Sequence, residues 1–136
     1  HRDPVKSIPS VCSLTAMIRA GWGEVVDRPG IGAFQLGFQA RGAKLASTVD
    51  ENLPEGRIVH AFQRDLIKDT VGTIADIYRK IDLTFTDTYR EHLTRRVATR
   101  DKPSHTYDMS DYGLSVSEIR SAFKDYTHRY QVPLEA

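Results

Sequence analysis

The sequence predicts an α/β chain that is mostly helical, with about one strand at 57–63. Three observations carry this reading. Apolar residues recur at helical spacing over most of the chain. One short run, Ile58, Val59 and Phe62 following the Asn52-Leu53-Pro54-Glu55-Gly56 turn, has strand character. A lone strand cannot satisfy its own backbone N–H and C=O groups, and unpaired it invites aggregation, so its partners are expected upstream of His1.

The elements follow in chain order. Asp3 suits an N-cap and Pro4 the first helical position, so a helix should run to about Ala20. Pro9 removes the N–H that would bond the Val5 carbonyl, which predicts a bend near Ser10. Gly21-Trp22-Gly23 and Arg28-Pro29-Gly30 read as breakers around a short connection. A second helical segment starts near Ile31, with Ile31, Phe34, Phe38 and Leu45 at helical spacing. Gly32, Gly37 and Gly42 weaken it by about 1 kcal/mol each relative to Ala, so close packing or a kink is expected there. Asp69 can cap a helix whose Val71, Ile74, Ile77, Tyr78 and Ile81 form a core stripe. Asp87 opens another, carrying Tyr89, Leu93 and Val97, and a Ser115-x-x-Glu118 capping box opens the last, with Ile119, Phe123, Tyr126 and Tyr130 as a docking stripe. No repeat, low-complexity tract or obvious linker interrupts the chain, which reads as one piece.

Bulk composition bounds function without naming it. A chain of 136 residues can bury a single core, and a net charge of +1, from 19 basic and 18 acidic residues, supplies no global field for nucleic acid or an acidic membrane. Any anion site is therefore local. The lone Cys12 excludes an intrachain disulfide and a cysteine zinc cluster; near Leu14 and Met17 it reads as a small buried residue in a reducing compartment. No apolar stretch approaches a bilayer's thickness. His60 reads as a structural residue in the strand and His92 as exposed, neither at zinc-ligand spacing. Asp65 reads as a structural hydrogen-bonder to a loop or the first helix rather than a general base.

The chemistry concentrates at the start, in His1-Arg2-Asp3-Pro4-Val5-Lys6-Ser7-Ile8-Pro9-Ser10. Arg2 stands just outside a helix N-terminus whose free N–H groups and dipole favour an anion, and Ser10 lies about two turns in. On spacing alone Arg2 reads as a solvated charge and Ser10 as a helix-surface hydroxyl. Arg2-x-Pro4, with Ser10 eight positions after the Arg, resembles the 3′-phosphate-binding motif of sulfotransferases that use PAPS (3′-phosphoadenosine-5′-phosphosulfate).

The resemblance continues. Residues 59–74, from Val59-His60-Ala61-Phe62 through Asp65-Leu66 and Asp69 to Gly72-Thr73-Ile74, resemble the family's Y-E-D-L-x-x-D-P-x-G-T-x segment, with Phe62, Gln63-Arg64 and Thr70 replacing its Tyr, Glu and Pro. Lys102 to Tyr107, Tyr112-Gly113-Leu114, Glu118-Ile119-Arg120, Phe123, Tyr126, Tyr130 and Pro133 resemble the C-terminus of a bacterial-type subgroup. The stretch from Gly21 to Glu55 matches no motif; Trp22, Phe34 and Phe38 there fit an acceptor-pocket wall or a core equally.

The resemblance implies that 1–136 is the C-terminal part of a three-layer P-loop-like sulfotransferase domain, with a 3′-phosphate-binding segment at 1–20, a strand–turn–helix at 57–81 and C-terminal helices at 87–130. It implies PAPS or its product PAP as co-substrate, no metal, a cytoplasmic setting, and a small-molecule, glycan or lipid acceptor bearing a hydroxyl or amine. No nucleic acid beyond the nucleotide and no membrane span are implied. Arg2 and Ser10 would grip the 3′-phosphate. The 5′-phosphosulfate loop and the catalytic base would come from an upstream half, so the isolated chain is expected to be inactive, and no catalytic residue is assigned within it.

The basic cluster Arg95, Arg96, Arg100, Lys102 and His105 has two readings. It is a solvated helix end complementing the dipole, or Arg100 and Lys102 lie on a loop over the nucleotide's phosphates, as the resemblance implies. Pro103-Ser104 stand where the subgroup has His-Gly. The alternative function is a non-catalytic helical protein-interaction module whose aromatic stripe meets a partner. RNA binding through Arg95 to Lys102 is weaker, because no stacking aromatics are interleaved there. Melting experiments separate the first two: a cooperative monomer that PAP does not stabilise marks the module, and an aggregating isolated chain marks the sulfotransferase part.

Overall fold

A computed structural model describes residues 1–99 and 107–135. Among them are the helices α1 (Pro4–Gly21), α2 (Arg28–Asn52), α3 (Gln63–Lys68), α4 (Thr70–Lys80), α5 (Asp87–Ala98), α6 (Val116–Ala122) and α7 (Lys124–Arg129), a 3-10 turn at Met109–Tyr112, and no strand. No helix of the described residues is long and apolar enough to cross a membrane. The backbone forms two compact units: Arg2–Glu51 with His105–Ala136, and Asn52–Ser104 with His1.

In the first unit, α1 starts where the Asp3-Pro4 pair predicts and runs unbroken through Pro9 to Gly21. Its buried face, Val5, Ile8, Cys12 and Ala16, steps by three or four residues and packs with Ile31, Tyr112, Leu114, Ile119 and Phe123. Full burial of a side chain such as Ile119 contributes about 1.5–3 kcal/mol. Cys12 is fully buried, and burial pushes its thiol pKa up, so it stays protonated and unreactive. Its companions are Ile8 and Ala16; Leu14 and Met17, expected beside it, lie on the exposed face.

Arg28-Pro29-Gly30, expected as a breaker, instead opens α2, because Asp27 caps it through the Gly30 N–H at 3.0 Å. Of the predicted α2 stripe only Ile31 is buried, while Phe34, Phe38 and Leu45 are exposed. The expected close packing occurs at Gly32, where a Cβ would sit 2.0 Å from the Tyr112 carbonyl oxygen. Gly37 and Gly42 have open space around theirs.

Leu114 follows the 3-10 turn, which ends on Gly113 in the left-handed region (φ 62°). The Ser115–Glu118 capping box forms, with the Glu118 N–H to Ser115 Oγ at 3.2 Å and the Ser115 N–H to Glu118 Oε2 at 2.9 Å. The single final helix predicted from Ser115 onward is divided at Phe123 into α6 and α7.

In the second unit the strand predicted at 57–63 does not form, and α3 begins at Gln63. The physical reason is a shortage of pairing. The His1 nitrogen donates to the Ala61 carbonyl, and the Gln63 N–H donates to the His1 carbonyl at 2.8 Å. This is the alternating pattern of a parallel bridge about Phe62, but one residue of pairing is too short to make a ladder. Asp69 then closes α3 with its N–H and caps α4 by accepting from the Gly72 N–H at 2.8 Å. The α4 stripe from Val71 to Tyr78 is half-buried rather than a full core, and Tyr78 meets Phe85 and Tyr89 in an aromatic cluster with centroids 5.3–5.8 Å apart.

Gly32→Ala drives a methyl group into the Tyr112 backbone, which cannot yield as a flexible side chain would. It is expected to destabilise the chain by about 2 kcal/mol or more in denaturant titration. Gly37→Ala, in open space on the same helix, is expected to be neutral or stabilising by up to about 1 kcal/mol.

Candidate functional site

The anion-binding residues proposed at the start of the chain sit at the foot of α1. Asp3 is 1% exposed, and its Oδ1 accepts from the Val5 N–H at 2.9 Å. The Lys6 and Ser7 N–H groups turn to the Asp3 carbonyl, and Pro4 has no N–H. The first turn's donors, read from sequence as free for an anion, are therefore already used, and an anion here must be held by side chains.

Arg2 provides the side chain. Its Nε is buried and has no hydrogen-bond partner. The nearest anionic group is the Glu135 carboxylate, with Oε1 3.9 Å from Nε, an ion-pair distance beyond hydrogen bonding. The Glu135 backbone N–H donates to Asp3 Oδ2 at 2.7 Å, so one carboxylate both caps α1 and tethers the C-terminal tail. Arg2 also lines a cleft of about 260 Å³ with Ser7, Gln39, Phe123 and Tyr126. Burial pushes the Tyr126 phenol pKa up, so it stays a neutral hydroxyl, and the Arg2 backbone N–H donates to it.

Ser10 stands two turns along α1, on the face that carries Asp3 and Ser7. The Tyr107 hydroxyl donates to Ser10 Oγ at 3.1 Å. Arg100, Lys102 and His105 lie outside the described residues; Tyr107 is the first described residue after them. Arg96 lines a separate cleft of about 450 Å³ with Thr70, Leu93, Val97 and Thr99.

The remaining candidates fall into place individually. His60 Nδ1 lies 3.0 Å from His1 Nε2 on an exposed surface, and His92 is exposed. No group of three or more metal-ligating side chains occurs among the described residues. Asp65 is exposed and pairs with the adjacent Arg64 at 3.5 Å. Phe123 is 5% exposed and Tyr130 donates to Asp50 at 3.0 Å, so the C-terminal aromatic stripe faces its own unit. Trp22, Phe34 and Phe38, left open between core and surface, are exposed, the two phenylalanines stacked at 5.7 Å.

The fold has a counterpart in a crystal structure of the sulfotransferase STF9 from Mycobacterium avium, which superposes with a TM-score of 0.86 over 100% of this chain at 21% sequence identity. The chain has a sulfotransferase fold. It spans 36% of the length of that sulfotransferase. No protein-family model and no curated protein sequence matches the chain. At this identity the agreement is one of backbone geometry.

Sequence reasoning within this sulfotransferase fold missed Glu135 and the second role of Asp3. They meet across more than 130 residues, with no periodicity or motif linking them. Tyr107 carried a signal, as an aromatic following a basic run, but nothing local pointed it at Ser10.

Asp3→Ala removes the α1 cap and leaves the Glu135 N–H without its acceptor. Loss of about 2–3 kcal/mol in chemical denaturation is expected. Ser7→Ala, which removes only long contacts of 3.4 and 3.5 Å to the Asp3 and Pro4 carbonyls, should stay within about 0.5 kcal/mol of the parent.

Proposed function

We propose that the chain is the C-terminal part of a PAPS-dependent sulfotransferase domain, and that Arg2 and Ser10 hold the 3′-phosphate of the nucleotide. The observation that carries this reading is the buried Arg2 Nε with no hydrogen-bond partner, at the foot of the helix that bears Ser10. A guanidinium donor left unsatisfied in a folded protein is costly, and a phosphate oxygen is the acceptor that its planar fork fits best. The sulfotransferase fold is compatible with this reading.

When bound, PAPS supplies a sulfuryl group that passes by in-line displacement to an acceptor hydroxyl or amine. This chain's residues contribute positioning rather than bond-breaking. Arg2 neutralises and orients the 3′-phosphate, and Ser10 adds a hydroxyl two turns along. In this reading Arg100 and Lys102 hold the remaining phosphates, and an upstream half brings the 5′-phosphosulfate loop and the base. A reducing cytoplasmic setting fits the lone buried Cys12. The interaction-module alternative loses its main support, because Phe123 and Ile119 lie in the core rather than toward a partner.

In the full-length protein, Arg2→Ala is expected to weaken PAP binding tenfold or more, as read by calorimetry, from loss of a contact worth about 1.5–3 kcal/mol. Unchanged affinity rejects the assignment.

A further inference from the structure

We propose that Glu135 is the internal counter-anion of Arg2, holding the guanidinium until a phosphate replaces it, so that the C-terminal tail sets nucleotide affinity. This rests on the reading of Arg2 as the 3′-phosphate ligand, and it adds a residue that opposes binding.

The argument starts from charge. Arg2 is flanked by two carboxylates, Asp3 through the chain and Glu135 at 3.9 Å. With both in place the cluster carries a net −1, and a phosphate arriving beside it would face repulsion at short range. Binding therefore proceeds by exchange: the Glu135 carboxylate leaves the guanidinium as the phosphate arrives.

The geometry lets Glu135 move while Asp3 stays. Asp3 is 1% exposed and fixed through both oxygens, Oδ1 on the Val5 N–H and Oδ2 on the Glu135 N–H. Moving it would uncap α1. The Glu135 side chain is 44% exposed and holds Arg2 only at ion-pair distance, so it can turn into solvent at little cost. Its backbone stays in place during that turn, because the tether to Asp3 uses the amide and not the carboxylate, and because Val132 is buried and bonded to the Thr127 carbonyl at 3.0 Å. The tail thus keeps the competing charge at a fixed distance while leaving its last bonds free to rotate. The 260 Å³ cleft that Arg2 lines gives the displaced guanidinium contacts room to rearrange.

The test is calorimetric titration of the full-length protein with PAP and with adenosine 5′-phosphate, which lacks the 3′-phosphate. Glu135→Gln preserves the backbone tether and the side chain's size while removing its charge. It is expected to tighten PAP about fivefold or more and to leave adenosine 5′-phosphate unchanged. In an Arg2→Ala background the same substitution should give no gain, since the competed-for cation is absent. If Arg2→Ala weakens PAP but Glu135→Gln leaves it unchanged or weaker, the counter-anion role is overturned and the 3′-phosphate reading survives. Equal tightening toward both nucleotides also overturns it, as that marks a general field effect. If Arg2→Ala does not affect PAP, the 3′-phosphate reading fails, and the proposal falls with it.

Discussion

The two oxygens of the Asp3 carboxylate hold together what matters most in this chain. One satisfies the first free amide of α1, and the other accepts the Glu135 amide from the far end of the sequence. A carboxylate at a helix start is ordinarily a local device, contributing to one helix. Here its second oxygen makes the cap a long-range tie. The position of Arg2, the next residue back, follows from that tie, and so does the placement of the tail beside it. The helix has no backbone donors left over for a ligand, so binding capacity at this end passes to side chains.

How much of this was legible depends on range. Features decided within four residues were readable: the Asp3-Pro4 start, the Asp69 cap, and the Ser115–Glu118 box all form as their residue types require. Features decided by burial were read only in part. The spacing of Ile31, Phe34, Phe38 and Leu45 is helical, and the helix is there, but periodicity cannot say which face meets the core, and only Ile31 does. The strand at 57–63 failed for the complementary reason. Its residues have strand character, yet a strand exists only with a partner of comparable length, and among the described residues the pairing about Phe62 is one position long. Contacts such as Glu135 with Arg2 leave no trace in local pattern at all.

Resemblance and geometry contribute different things. The motif around Arg2 and Ser10 suggests a ligand, while the fold match to a sulfotransferase of a mycobacterium supplies the scaffold over the whole chain. Neither by itself explains why Arg2 has a buried nitrogen without a hydrogen bond. The guanidinium stands beside a carboxylate at a separation that partly neutralises it without completing its hydrogen bonds. Such a half-satisfied donor fits exchange better than permanent pairing.

The hydrogen bond between Tyr107 and Ser10 has a directional consequence. Because the phenol donates, the Ser10 oxygen has one lone pair engaged and its own proton uncommitted to Tyr107. Engaging the oxygen as an acceptor polarises its O–H bond and strengthens the hydroxyl as a donor. Ser10 is thereby left with its own hydrogen to offer elsewhere. The aromatic residue that closes the basic segment also sets the polarity of a hydroxyl almost a hundred residues away in sequence.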